Sequence, residues 1–135
     1  MRTINNLGVV FVDDDYLVLD AFKREIKIIR SGWNNFYARS GMSAIEVIND
    51  NIKEIDVLVC GIKMPKLSGL DVLRITKKIY PHILRITFSG QLDGETLHGS
   101  EKLSDLHICK PISCLRLTEM IVVAYKTRWP KMAAT

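Results

Sequence analysis

Five short apolar runs recur along the chain, and each is followed by a stretch with helical spacing. The first run, Leu7-Gly8-Val9-Val10-Phe11-Val12, is apolar at every position and stops at Asp13-Asp14-Asp15. A strand with both faces apolar belongs in a parallel sheet covered by helices on both sides. After it, Leu17, Leu19, Ala21, Phe22, Ile26, Ile28 and Ile29 return at roughly helical intervals, with Lys23, Arg24, Glu25 and Lys27 largely between them. This spacing predicts an amphipathic helix over Tyr16–Arg30, stopped by Ser31-Gly32. Trp33–Ala38 reads as a second strand, Ser40-Gly41-Met42-Ser43 as a turn, and Ala44–Asn49 as a short helix.

The second half repeats the alternation. Asp56-Val57-Leu58-Val59-Cys60 is a third strand, followed by a loop, Gly61 to Gly69. Leu70–Tyr80 is a helix with Leu70, Val72, Leu73, Ile75 and Ile79 inward, ended by Pro81. Ile83–Phe88 is a fourth strand with a Ser89-Gly90 turn. Asp93–Leu103 is a polar helix that carries Gly99 and few core anchors, so it is expected to be the most mobile of the helices. Leu106–Cys109 is a fifth strand, closed by Lys110-Pro111. Ser113–Thr127 is a last helix with Leu115, Leu117, Met120, Ile121 and Val123 inward, followed by a tail, 128–135, expected to be loose at its end. The expected fold is a doubly wound α/β sandwich of three layers with a five-stranded parallel sheet in order 2-1-3-4-5. One domain over 1–135, with its core in 7–127, accounts for the whole pattern.

Composition changes this picture little. Apolar residues at 47% and charged residues at 25% are those of a globular chain. No apolar run reaches the ~20 residues of a membrane-spanning helix. Met1–Gly8 has no secretory character, so the expected location is the cytoplasm. The net charge of +4 is spread along the chain without a helix-turn-helix, a zinc finger or an aromatic-rich RNA surface. It reads as solvated surface, with no nucleic-acid contact expected. Cys60, Cys109 and Cys114 form no CxxC pair, and Cys60 and Cys109 end strand-like runs, so reduced core thiols are expected. His82, His98 and His107 show no metal-ligand spacing.

In a doubly wound sheet, ligands bind beyond the carboxyl ends of the strands. Those ends carry Asp13-Asp14, Gly61, Ser89 and Lys110-Pro111. Each is ordinary alone, and Asp14 or Asp15 also suits a helix N-cap. Taken together with Val10-Phe11-Val12-Asp13-Asp14-Asp15, Lys63-Met64-Pro65-x-x-Ser68-Gly69-Leu70, Ser89-Gly90-x-x-Asp93 and Lys110-Pro111, the chain resembles the CheY-like receiver domain of two-component response regulators. The resemblance covers Leu7 to about Thr127. The stretch from Arg85 to Asp93 is most similar to receivers joined to HD-GYP or HDOD output modules.

The resemblance implies a chemistry. An aspartate at the end of the third strand becomes an acyl phosphate. Mg²⁺, held by the acidic pair and that aspartate, shields the anionic donor, and the lysine pairs with phosphoryl oxygens. The serine hydroxyl follows the phosphate and biases the surface of the fourth helix, fifth strand and fifth helix. In the family the acceptor stands four residues before the Met-Pro proline, and counting back from Pro65 gives Gly61. Glycine has no nucleophile. Asp56 lies five residues upstream, on the order of 16 Å away along a strand. Neither Lys63 nor Ser68, in the loop beyond, is positioned as a substitute.

The expectation is therefore a non-enzymatic pseudo-receiver with Asp13, Asp14, Gly61, Ser89 and Lys110 as remnants of the phosphorylation pocket. It requires no cofactor, and Asp13 and Asp14 offer at best a weak Mg²⁺ site. Its implied partner is a protein, a histidine kinase or output module, or a second copy of itself, met through the Asp93–Thr127 face. His107 occupies the aromatic switch position of the family and reads as a half-exposed packing residue, with a pH-sensitive switch as the sharper alternative. Two further readings stay open: a conventional receiver whose acceptor has been lost, and a flavodoxin-like cofactor binder. The second lacks a Walker A or dinucleotide glycine pattern.

Overall fold

A computed structural model describes residues 2–133. The elements are β1 (Gly8–Val12), α1 (Tyr16–Ile29), β2 (Asn34–Ala38), α2 (Gly41–Asp50), β3 (Val57–Cys60), α3 (Gly69–Ile79), β4 (Leu84–Ser89), α4 (Gly94–Leu103), β5 (Leu106–Cys109), α5 (Cys114–Arg128) and α6 (Pro130–Ala133). The sheet is parallel throughout and ordered β2-β1-β3-β4-β5. β1, β3 and β4 are buried along their whole length, as strands packed by helices on both faces must be.

Two cores flank the sheet. On one side Val9, Phe11, Val59, Ile86 and Phe88 meet α1 and α5 through Phe22, Ile26, Leu117 and Ile121. On the other, Val10, Leu58 and Cys60 meet α2 and α3 through Ala44, Ile48, Val72 and Leu73. Alternate residues of each strand serve opposite cores, the period of two that a pleated strand imposes.

Helix ends follow local capping. Asp15 accepts from the Leu17 amide and starts α1, and Ser113 does the same for α5 through Arg116. Ser68 and Asp71 form a reciprocal capping box at α3, and Asp93 caps α4. The second helix begins three residues earlier than Ala44, because Ser40 accepts from the Ser43 amide and draws Gly41 and Met42 into its first turn.

Several apolar positions face outward against expectation. Leu17, Ile28, Ile79, Leu115 and Val123 are exposed, and α3 instead buries Thr76, whose hydroxyl donates to the Val72 carbonyl. Cys109 is exposed, whereas Cys60 and Cys114 are buried. At the start of the tail, Trp129 packs against the core beside α5, stacks under the Arg128 guanidinium and leads into α6. Residues 134 and 135 of the expected tail lie outside the described residues.

Candidate functional site

Strand register assembles the site. Val12 pairs with Cys60, so the residues that follow them, Asp13 and Gly61, stand abreast. Ser89 pairs with Cys109, which sets Lys110 next to the end of β4, and the Lys110 amide donates to the Ser89 carbonyl at 2.8 Å. Asp13, Asp14, Gly61, Ser89 and Lys110 consequently line one cleft of about 140 Å³, with Lys63 and Phe88 among its walls.

Asp13 is buried, and its carboxylate is fully engaged. Oδ1 accepts from the Asp15 amide at 2.9 Å. Oδ2 accepts from Lys110 Nζ at 2.7 Å, the side chains being 4% and 31% exposed. This ion pair reaches from β5 to β1 across the ends of β4 and β3. The ammonium also lies 5.0 Å above the Phe88 ring, a cation–π contact that fixes it from below. Asp14 is exposed. The Ser89 hydroxyl is turned to its neighbour, donating to the Gly90 carbonyl at 3.2 Å. The Lys110–Pro111 peptide is cis.

Gly61 is open, not demanded by the backbone. Its φ lies outside the left-handed region, and a Cβ built on it meets Val12 O at 3.4 Å and Asp13 Oδ2 at 3.5 Å, ordinary contact distances. Gly69 is the opposite case. A Cβ there would stand 1.9 Å from the Gly61 carbonyl oxygen, so glycine is the residue that lets α3 begin against the loop.

Among the described residues, none of the nearby candidates brings a nucleophilic side chain to the Gly61 position. Asp56 sits at the far end of β3, where it accepts from the Gly8 amide at 2.8 Å and pairs with Arg2. Ser68 is committed to the α3 cap. Cys60 is fully buried, and burial pushes its thiol up, far from thiolate chemistry. A magnesium ion of the kind receivers use does not fit the donors present. The third carboxylate is absent, and Lys110 occupies an oxygen of Asp13. Among the described residues no group of three or more His, Cys, Asp or Glu side chains is placed to hold a metal.

His107, on β5, is half-buried and has a partner that the sequence did not reveal. Its Nδ1 lies 2.6 Å from the Thr87 hydroxyl of β4, which lies 2.9 Å from the Ser100 hydroxyl of α4. Thr87 and Ser100 are wholly buried. An apolar groove of about 460 Å³ lies nearby, between β5 and α5, lined by Leu84, Leu106, Met120 and Val123 with Arg116 and Arg128 at its rim.

Comparisons with known proteins agree with this geometry. The family model "Response regulator receiver domain" matches residues 9–122. The transcriptional regulatory protein CpxR of Escherichia coli (strain K12) is 26% identical over 124 residues, 90% of this chain and 50% of CpxR, so the chain spans about half the length of that relative. The receiver domain protein of Clostridium thermocellum superposes with a TM-score of 0.80 at 28% identity, over 90% of this chain and 96% of its own. A CheY-like receiver protein of Methanospirillum hungatei JF-1 gives a TM-score of 0.83 at 22% identity, over 93% and 98%. No helix among the described residues is long and apolar enough to cross a membrane. With strand order, site geometry and family model in agreement, the chain belongs to the response regulator receiver domain family of two-component signal transduction.

Proposed function

We propose that this receiver signals without aspartyl phosphorylation, as a non-enzymatic pseudo-receiver in the cytoplasm that acts by binding other proteins. The observation that carries this reading is Gly61: the position abreast of Asp13 has no side chain, and Lys110 is already neutralised by Asp13. The charge-handling groups remain and the acceptor does not. Mg²⁺ binding is at most weak here, because two carboxylates, one of them paired to a lysine, cannot replace the family's three.

The partner-binding surface in this reading is the Asp93–Thr127 face. In support, it carries the apolar groove between β5 and α5 together with the exposed Leu115 and Val123. Arg116 and Lys102 add positive charge to its surroundings and suit an acidic partner surface on a kinase, an output module or a second copy. Incubation with acetyl phosphate and Mg²⁺, read by intact mass, tests the absence of acyl-phosphate chemistry.

The reading of a phosphorylatable receiver with a lost acceptor keeps one favourable observation. The space over Gly61 admits a Cβ at ordinary contact distance, so a side chain can begin there without a clash at its first carbon. Gly61→Asp is its test. A flavodoxin-like cofactor binder has no such support, since the cleft at the strand ends is small and charged.

A further inference from the structure

The hydroxyl–histidine chain at the root of α4 does not belong to the acid–lysine cleft, and its proton inventory is restrictive. Thr87 Oγ1 has one hydrogen and three neighbours: Ser100 Oγ at 2.9 Å, His107 Nδ1 at 2.6 Å and the Leu106 carbonyl at 3.4 Å. With the ring neutral and its proton on Nε2, every member is satisfied. Ser100 donates to Thr87, and Thr87 donates to Nδ1. A protonated ring reverses the chain. Nδ1–H must then donate to Thr87, and Thr87 must turn its hydrogen either to Ser100, leaving the wholly buried Ser100 hydroxyl without its acceptor in Thr87, or to the Leu106 carbonyl, a longer and weaker bond at 3.4 Å.

What this chain holds in place is α4. Ser100 is the one buried residue of that helix, which is otherwise polar. Its other attachments include the close approach of Gly99 to Leu70 of α3, the half-buried Leu103, and hydrogen bonds at its C-terminal end from Arg85 Nε to the Leu103 carbonyl at 2.9 Å and from Lys77 Nζ to the Lys102 carbonyl at 3.2 Å. We propose that His107, Thr87 and Ser100 form a proton-sensitive latch that docks α4 on β4 and β5, and that protonation of His107 releases the helix. The latch does not depend on whether this face binds a partner, because its readout is the helix itself.

The surroundings favour the neutral ring. Burial holds the His107 pKa below the ordinary histidine value, opposed in part by Glu101 of α4, whose charge favours the cation. Two residues upstream of Thr87 and His107, Arg85 of β4 and Asp105, just before β5, pair with each other. Thr87, which faces the ring, is neutral. The sign follows from linkage. A histidine whose folded pKa is depressed stabilises the docked helix above its unfolded value of 6.5, and that stability drains away as pH falls through 6.5 toward the folded pKa.

Amide hydrogen exchange by NMR between about pH 7.5 and about pH 5.5, expressed as protection factors, reads this directly. For each unit by which docking depresses the His107 pKa, α4 protection falls by about tenfold across the transition, while α3 is unchanged. His107→Phe and Thr87→Val remove the pH response. In the unmodified chain, the His107 ring-nitrogen shifts must titrate below the ordinary value and together with the α4 amides, a readout available even if a variant misfolds. Equal protection of α4 and α3 across the range, or a pH response that survives in His107→Phe, overturns the latch.

Discussion

Lys110 Nζ donates to Asp13 Oδ2 at 2.7 Å, across the ends of two intervening strands. Residue 61 lies on that path, and a Cβ placed there touches the same oxygen at 3.5 Å. With glycine in place, the lysine meets the buried carboxylate without a competitor. This pair is the electrostatic centre of the cleft.

Removing the lysine should therefore cost stability. Asp13 is 3% exposed and keeps only one other hydrogen bond, from the Asp15 amide. Lys110→Ala should lower unfolding free energy by about 1.5–3 kcal/mol, the range for a hydrogen bond to a charged group when its partner stays buried. Urea denaturation measures this. A loss below about 0.5 kcal/mol, the size of an ordinary surface change, would show that Asp13 finds water instead.

The two glycines of the β3–α3 loop should respond in opposite ways. Gly69→Ala drives a methyl into the Gly61 carbonyl and should cost about 1–3 kcal/mol, as overpacking does. Gly61→Ala meets only ordinary contacts at a compatible φ and should be neutral or stabilising by about 0.4–1 kcal/mol. Thermal and urea melts of both variants decide this. Equal destabilisation would mean that Gly61 is also held by the backbone.

Acid sensitivity should include the α3 cap. Hydrogen bonds from the Ser68 backbone, then from its hydroxyl, and the Arg74 guanidinium hold the Asp71 carboxyl below the usual carboxylate range. A depressed carboxylate pKa contributes stability above the unfolded value, and that stability is lost as pH falls through the folded value. Part of the acid limb below about pH 4 should flatten in Asp71→Asn. Ser68→Ala should cost about 0.5–2 kcal/mol at neutral pH. An acid limb identical to that of the unmodified chain would remove Asp71 from the account.

The interaction surface predicts charge-dependent assembly. Light scattering at rising concentration should show mass above the 15.4 kDa monomer or, with partner present, a complex. Lys102→Glu and Arg116→Glu should weaken either one. A strict monomer whose capture of partner proteins is unchanged by both reversals contradicts the proposed face.

Fold and cleft were largely legible because they rest on patterns the chain must display. Val9 to Val12 and Val57 to Cys60 are apolar at successive positions because helices cover both faces of the sheet. Asp13, Gly61 and Lys110 follow strand ends and Ser89 ends β4, so register alone brings them together. Helix faces were harder. Leu17, Ile28, Ile79, Leu115 and Val123 are apolar yet exposed, since apolar surface outside a core is common. Gly41 reads as a turn until Ser40 is seen to cap the helix it begins. Of the Thr87–Ser100–His107 chain, only His107 left a signal, as a switch position without a partner. Threonine in a strand and serine in a helix look ordinary, and their burial is decided by partners distant in sequence.

Phosphorylation is the most direct test of the central claim. The chain and its Gly61→Asp variant are incubated with acetyl phosphate and Mg²⁺, then read by intact mass before and after hydroxylamine. The account predicts no hydroxylamine-labile phosphoryl adduct on the chain as it stands, because no carboxylate occupies the position abreast of Asp13. It predicts a Mg²⁺-dependent adduct on the variant, where a third carboxylate joins Asp13 and Asp14 and competes with Asp13 for Lys110. A stoichiometric, hydroxylamine-labile adduct on the unmodified chain that maps to this cleft would contradict it.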